Sequence, residues 1–573
     1  MKKLRAYQEE SLSILARDSS GLLASGLGSG KTLQGVERVR QLKLGRVPRV
    51  LVVAPVNTLG QWRDTFAEQF PSLKNSPYLR IAGTHKSDPE SWKILVAKKP
   101  GVTLIGWEAM RGRVDIETKA AHSRAATKEP KLTVAAIRQA MKDGTVPPWG
   151  RVGVFDLVIG DEIHRIANRN SAQTKILKLI KADHKLAISA TFSGNKEEGA
   201  WSILNWLWKE KYPRFWDWAE EYLHIEPEKV SHTKTINKIG GELNPGAIWD
   251  AIPCGVRHRT EDIGIELPEV IQRIVKVPMG KVQRQQYDDF EQQAFAWLDD
   301  HPVGTPLPIT QRIRLRQAAL GQLKVSEVIK RVYYNLSAPE KQIARAWLHY
   351  RTEHAGAGQQ EFLEVYNDSL AEDRQPLDSA RLFKVVEKLQ KYDEGIEFED
   401  FHERDEIDFN EKGDQSKLAA VKEIIADLPD GERVLVWAPF AKWARMAVSS
   451  LNRDRSISGV AKYWGDVPTG SQRDSLKAEF IRGDVRILVA HPASMSEGTD
   501  GMQYACRCEI IAAPSESALI NEQAEGRLYR PGQKSPVQRW ILQSEDSIDT
   551  DIAETLEGRR SRMRTLYKDD LAA

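Results

Sequence analysis

The sequence predicts an α/β protein of two lobes, each built on a parallel sheet, with a largely helical insertion between them. Three observations carry that expectation. Short, apolar, β-branched runs that stop abruptly in polar or Gly-rich residues occur in two groups, one toward each end of the chain, and read as buried parallel strands followed by functional loops. The stretches between runs of one group have helical character, as parallel pairing requires. A length of 573 residues also exceeds what one hydrophobic core supports.

The first group of strands is expected at residues 49–55, 102–107 and 155–160, the second at 433–438, 485–490 and 509–513. They place a first lobe over 1–265 and a second over 414–573. From about Lys281 to Gly413 the chain is rich in Gln, Glu, Arg and Ala, has few strand signals and closes on an acidic stretch at 394–408. Residues 266–413 therefore read as a helical linker and insertion with a solvated acidic edge. Residues 111–150, basic and polar with Pro147-Pro148, read as a surface excursion from the first lobe. There is no internal repeat and no long low-complexity tract.

Sixteen Trp among 41% hydrophobic residues argue for a folded chain. Lys and Arg number 83 against 80 Asp and Glu, a net charge of +3, so any anionic partner must meet a local basic surface. Cys254, Cys506 and Cys508 are too few for a disulfide framework or a four-ligand site, so no structural zinc is expected, and a reducing, cytoplasmic setting is. Polar Gln8-Glu9-Glu10 stands where a signal peptide needs apolar residues, and no run approaches the roughly 18 of a membrane span. No membrane association is expected.

Ser25-Gly26-Leu27-Gly28-Ser29-Gly30-Lys31-Thr32 follows the apolar Leu22-Leu23-Ala24 and precedes a helical pattern carrying Leu33, Val36 and Val39 on one side. This is the strand, Gly-rich loop and helix of a phosphate-binding loop. Gly26, Gly28 and Gly30, with Ser29 among them, let backbone N–H groups turn toward phosphate oxygens, and the helix N-terminus adds partial positive charge. Lys31 then reaches the β- and γ-phosphates of ATP, and the Thr32 hydroxyl meets Mg²⁺. Ser25 replaces the usual first Gly. The strand at 155–160 runs into Asp161-Glu162-Ile163-His164, two carboxylates at the edge where open α/β sheets bind ligands. Asp161 can hold Mg²⁺, and Glu162 can accept a proton from the water that attacks the γ-phosphate. An isolated Asp-Glu pair is ordinarily solvated charge; following a phosphate-binding loop in one sheet, it reads as catalytic.

This ordered set resembles the superfamily-two helicases and translocases, most closely the Swi/Snf-type DNA translocases in a compact prokaryotic or phage-like form. Leu4-Arg5-Ala6-Tyr7-Gln8 resembles the adenine-reading motif, which implies that Gln8 contacts the base. Residues 52–59 with Trp62 resemble motif Ia, on the DNA strand, and Ser189-Ala190-Thr191 resembles motif III, which couples hydrolysis to lobe movement. The aromatic segment from Trp201 to Tyr222 echoes the family, although its helical spacing favours core packing over base stacking. Residues 257–262 with Leu267-Pro268 resemble the segment joining the lobes, and residues 434–440 resemble motif IV. Residues 491–494 through 498–501 resemble motif V, with Ser496 for the usual Gly and Asp500 for the usual Asn. Ser547-Ile548-Asp549 resembles the closing segment. The resemblance implies RecA-like lobes with ATP between them and DNA, double-stranded rather than single-stranded, across both.

From the second lobe, residues 523–533 supply Gln523, Arg527 and Arg530, which on a helix share one face, with Pro531 ending it. Guanidinium groups fork onto phosphate oxygens and suit transition-state charge. The segment resembles motif VI, which implies that both arginines are catalytic and that Gln523 lies at the nucleotide. The basic run at 559–564 fits a DNA-facing helix, a nuclear-localisation signal or a solvated surface equally.

The expected protein is thus an ATP hydrolase that moves along DNA and remodels DNA or protein–DNA complexes, alone or beside a protein partner subunit. A strand-separating DNA or RNA helicase is the enzymatic alternative. A nucleotide-gated binding scaffold is the other, and it has no need of Lys31, Asp161, Glu162 and Arg527 together. The resemblance runs from Leu4 nearly to Ala573, so a compact motor is expected rather than a histone-tail remodeller.

Overall fold

Parallel strands covered on both faces set the first lobe. In the computed structural model β1 (Ser20–Leu23), β2 (Arg49–Ala54), β3 (Leu79–Ala82), β4 (Gly101–Gly106), β5 (Val154–Asp161) and β6 (Lys181–Ile188) are followed by a separate antiparallel hairpin of β7 (Leu223–Ser231) and β8 (Lys234–Glu242), then β9 (Gly255–Val256). The sheet order is β3-β4-β2-β5-β6-β1-β9, parallel throughout. The residues described are 2–26, 28–112, 133–231, 234–259, 261–264, 266–292, 295–298, 301–304, 308–325, 343, 362–363, 366–367, 377–391, 407–464, 471–495 and 501–569.

Because both faces are buried, β2 is a continuous Val-Leu-Val-Val run without an alternating polar face. Leu51, Val53 and Ile105 pack with Trp92, Trp107 and Trp206 on one side, whereas Val50, Val52 and Ile159 pack with Val36, Trp62 and Phe66 on the other. Leu204, Trp206 and Leu207 are buried, so the aromatic segment belongs largely to the core, although Trp216 is exposed. β5 pairs with β6, and β6 with β1, so the loops that leave these three strands open at one edge of the sheet.

The second sheet joins β10 (Val270–Val277), β15 (Val434–Trp437), β16 (Val460–Tyr463), β17 (Ile487–Ala490), β18 (Cys508–Ile511) and β19 (Val537–Ser544) in the order β10-β19-β18-β15-β17-β16, again parallel. Both lobes are thus parallel α/β units, as the sequence predicts. Their intervening chain holds the helices Lys281–Gln292, Pro308–Leu320 and Ser379–Lys391, an antiparallel hairpin of β11 (Phe295–Leu298) and β12 (His301–Gly304), and an antiparallel pair of β13 (Leu323–Val325) and β14 (Ile407–Phe409).

Three features differ from the sequence reading. β10 falls inside the stretch read as linker, yet it pairs with β19 over eight residues; its exposed Gln272 and Arg273 give it the polar look of an edge strand. Tyr287 and Phe290 of the helix Lys281–Gln292 are buried in the second lobe's core, so that helix is part of the lobe. Residues 133–150 are not a surface excursion: the helix Val134–Lys142 buries Ile137, and Val146 and Trp149 follow it into the first lobe's core. Trp149 Nε1 donates to Met110 O at 2.9 Å. Residues 113–132 and 394–406, which carry the rest of the excursion and most of the acidic stretch, lie outside the described residues.

The closing helix Ile548–Leu566 joins the lobes. Ile548, Ile552 and Leu556 are buried in the second lobe's core, while Met563, Leu566 and the following Tyr567 are buried in the first lobe's. Each of those three side chains contributes about 1.5–3 kcal/mol by leaving water. The basic run on this helix is largely paired: Arg560 meets Glu525 at 2.6 Å, Arg562 meets Glu197 at 3.3 Å, and Arg559 donates to Glu516 O.

Candidate active site

The loop after β1 turns on Gly28 and Gly30, both at positive φ (76° and 70°), which a side chain adopts only with strain. Space forbids one as well. A Cβ on Gly30 would lie 2.6 Å from Gln8 Nε2, and one on Gly28 would lie 2.6 Å from Pro531 Cδ. This glycine-rich loop is therefore in contact with the arginine-bearing segment of the other lobe. Ser29 Oγ donates to Gly26 O at 2.8 Å, and Lys31 Nζ donates to Ser25 O at 2.9 Å and Gly26 O at 2.8 Å. Burial pushes the Lys31 ammonium down to about 8, against the opposing pull of Glu162 and Asp161; the charges of Arg257 and Arg530 add to the lowering. Thr32 occupies the first turn of the helix Lys31–Gln41.

Gln8 is buried with both ends of its amide engaged: Oε1 accepts from Arg5 N–H at 3.0 Å and Nε2 donates to Ser29 O at 3.0 Å. Tyr7 Oη and Gln34 Nε2 donate to the same carbonyl at 2.9 and 3.2 Å. In this arrangement Gln8 braces the loop.

Asp161 ends β5. Trp62 Nε1 donates to its Oδ2 at 2.8 Å, Glu162 N–H donates to its Oδ1 at 3.1 Å, and Trp107 Nε1 donates to its backbone carbonyl at 2.9 Å. Trp62 fits because Gly35 leaves room: a Cβ there would lie 2.6 Å from Trp62 Cη2. Burial and the neighbouring Glu162 hold Asp161 well above the usual carboxylate range, opposed by the Trp62 hydrogen bond and Lys31. Burial would raise Glu162 too, but its His164 hydrogen bond and charge, then Lys31 and Arg527, hold it well below that range. Glu162 sits at φ 52°, a left-handed conformation rare for a residue with a side chain. Its Oε2 lies 3.3 Å from His164 Nδ1 and accepts from Ser189 Oγ at 3.3 Å; Ser189 Oγ also accepts from Thr191 N–H at 3.2 Å. The acidic pair is thereby tied to the segment after β6.

The raised Asp161 has a stability consequence. In the folded state it holds its proton to a higher pH than in the unfolded chain, so its contribution is full below the unfolded pKa and lost as pH rises through the raised folded pKa. Asp161→Asn removes that loss. Melting in EDTA is expected to show the variant at least as stable as the parent at pH 8, with the gain shrinking as the pH falls through the raised pKa. A variant less stable at pH 8 than at pH 5, relative to the parent, contradicts the raised value.

Gln523 lies on the helix Ala518–Glu525, but Arg527 and Arg530 do not extend it. Gly526 caps the helix, its N–H donating to Glu522 O at 2.9 Å, while the Glu525 carboxylate is drawn to Arg539 and Arg560. Arg527 and Arg530 thus project from the turns that follow the helix rather than sharing a helical face with Gln523. Arg527 is buried, its Nε donating to Gln523 O at 3.1 Å. The arginine charges still reach the first lobe, Arg527 acting on Glu162 and Arg530 on Lys31. At the other end of that helix Asn195 Oδ1 accepts from Ser517 Oγ at 2.9 Å across the lobes.

Lys31, Asp161, Glu162, Arg527 and Arg530 are therefore gathered at one cleft with Gly26, Gly28, Ser29, Gly30, Thr32 and Gln8. Of the motif V loop, Ser496 and residues 498–500 lie outside the described residues. Sequence reasoning named Trp62 but not its bond to Asp161, and missed Trp107, Gln34 and Asn195; a tryptophan within reach of a sheet edge was the one available signal. Among the described residues no group of three or more His, Cys, Asp or Glu could hold a metal ion, and no helix is long and apolar enough to cross a membrane.

Comparison with known proteins matches residues 7–306 to the SNF2-related domain family. The ISWI chromatin-remodeling complex ATPase CHR17 of Arabidopsis thaliana is 27% identical over 291 residues, which are 50% of this chain and 23% of that protein. The ATP-dependent helicase fft1 of Schizosaccharomyces pombe is 23% identical over 556 residues, 93% of this chain and 49% of that protein. This chain thus spans half or less of these relatives' lengths. Among solved structures, the Pyrococcus furiosus Hef helicase domain is similar at 15% identity over 96% of this chain and 98% of that one, with a TM-score of 0.44. The Sulfolobus solfataricus SWI2/SNF2 ATPase core in complex with dsDNA covers 99% of this chain and 92% of its own at 16% identity, with a TM-score of 0.34. Matched over more than half its length, the chain belongs to the SNF2-related domain family.

Proposed function

We propose that this protein is an ATP-dependent DNA translocase that hydrolyses ATP between its lobes to move along double-stranded DNA and remodel DNA or protein–DNA complexes. The observation that carries the reading is the contact of the Gly28 turn with Pro531, which puts Arg527 and Arg530 in electrostatic reach of Glu162 and Lys31. A triphosphate between those groups would meet cationic side chains from both lobes.

In this reading the loop N–H groups and Lys31 bind the phosphates, and Gln523 lines the same cleft. Lys31 exchanges its bonds to Ser25 O and Gly26 O for phosphate oxygens, whose negative charge offsets the burial that depresses its pKa. Magnesium uses few protein ligands and takes the rest from phosphates and water, so Asp161, oriented by Trp62, and Thr32 fit it. When bound, Mg²⁺ neutralises charge building on the β- and γ-oxygens. Glu162, held ionised, orients the attacking water and takes its proton. Arg527 and Arg530 then stabilise the equatorial oxygens. Loss of the γ-phosphate removes what the arginines share with Lys31, and the cleft reopens. The tie from Glu162 through Ser189 to Thr191 carries that change to the segment after β6. Grips on backbone phosphates that alternate between lobes would turn the cycle into steps with little base preference.

Steady-state ATPase with duplex DNA, single-stranded DNA and RNA tests this, paired with triplex displacement and fork unwinding. Duplex-stimulated turnover that falls steeply with salt, with triplex displaced and forks intact, is the expected result. Strand release from a fork would make the protein a helicase. Tight DNA binding without turnover would leave only a scaffold.

A further inference from the structure

A guanidinium drawn largely out of water needs hydrogen-bond partners, and those of the half-buried Arg257 come from three separate segments. Arg257 directly follows β9, which borders β1. Its Nη1 donates to Ala24 O, at the entry to the phosphate-binding loop, at 2.9 Å, and to Ala190 O, in the segment after β6, at 3.1 Å. Its Nε and Nη2 grip the Asp569 carboxylate at 2.9 and 2.5 Å, and its carbon lies 3.9 Å from the centre of the Tyr567 ring. Tyr567 Oη in turn accepts from Phe192 N–H at 2.7 Å, one residue beyond Thr191. Arg259 adds a bond from Nη1 to Asp569 O at 3.0 Å, and Lys568 pairs with Asp250 at 2.5 Å.

Tyr567 and Asp569 directly follow the helix that begins in the second lobe. The chain crosses between lobes at Arg257 and Arg259 in one direction and at Asp569 in the other, and the two crossings are bonded together. We infer that the docked segment 563–569 belongs to the motor: it fixes the Arg257 fork, and Arg257 is a positioning residue that sets the entry to the phosphate-binding loop and the segment after β6 in mutual register. Three donor directions are satisfied by three segments at once, so losing the carboxylate frees the fork to swing from the two carbonyls. This inference rests on the proposed ATPase reading.

The test uses the full chain with Asp569→Asn, Asp569→Glu and Tyr567→Phe. Hydrogen exchange over residues 189–199 is followed without nucleotide, and turnover is measured against ATP with duplex DNA. Asp569→Asn is expected to raise exchange there by about fivefold or more. It should lower kcat about tenfold while KM for ATP stays within about twofold, a split that general loss of structure does not produce. Asp569→Glu, which keeps the fork, should retain more than about half of the parent turnover. Tyr567→Phe should raise exchange at Phe192 without loss of the ring contact. Parental exchange in both Asp569→Asn and Tyr567→Phe overturns the inference, as does raised exchange with parental kcat, or a Glu variant as impaired as the Asn variant. If the parent itself shows no duplex-stimulated turnover, the functional reading fails and the positioning role with it, while the exchange measurement still decides whether the segment holds Arg257.

Discussion

Arg527→Ala is expected to lose about 10³–10⁵-fold in DNA-stimulated turnover, with Arg530→Ala comparably impaired. Arg527 is buried and anchored on Gln523 O, and its charge falls on Glu162; that of Arg530 falls on Lys31. Neither belongs to the lobe that carries the phosphate-binding loop. Their removal should therefore leave most ground-state nucleotide binding in place and act on kcat, the mark of an interaction made in the transition state. Arg527→Lys should not rescue, because a single ammonium cannot fork onto two oxygens. Single-turnover hydrolysis with nucleotide binding measured alongside decides it. A fully active lysine variant would remove the arginine from the chemistry.

Glu162→Gln should bind nucleotide at least as well as the parent and turn it over about 10²–10⁴-fold more slowly. Removing one negative charge beside a triphosphate favours binding, while the water loses its proton acceptor. Glutamine keeps an oxygen for Ser189 Oγ and is asked to hold the same left-handed φ of 52°, so the loop itself should survive. Equilibrium binding and ATPase on one preparation separate the two effects. Turnover above about a tenth of the parent's would point to another base.

What the sequence disclosed follows from how tightly physics constrains each part. A loop that must turn at Gly28 and Gly30 and present N–H groups tolerates few residue types, so it is visible in one chain. Central strands buried on both faces are equally plain: the runs read at 49–55, 155–160 and 485–490 correspond to β2, β5 and β17. Strands with polar content escape. β10 shows Gln272 and Arg273 to solvent, and β19 buries Arg539 only because Glu509 and Glu525 meet it at 2.6 and 2.9 Å, a pairing local pattern cannot reveal. The excursion at 111–150 looked solvated because its apolar residues are sparse, yet Ile137, Val146 and Trp149 are the ones that pack. Spacing placed Arg527 and Arg530 on a helix that Gly526 ends early. Contacts between lobes, such as Gly28 with Pro531 or Arg257 with Asp569, join positions hundreds of residues apart and leave no local trace.

The eight-residue pairing of β10 with β19 and the burial of Tyr567 in the first lobe shape how this chain leaves the ribosome. At about 5–20 residues per second, β10 waits on the order of tens of seconds for its partner strand. The N-terminal lobe waits longer still, its apolar wall unfinished until the helix Ile548–Leu566 emerges. Neither lobe can complete its core until those later segments are made, so the emerging chain should stay sticky and lean on chaperones over that interval.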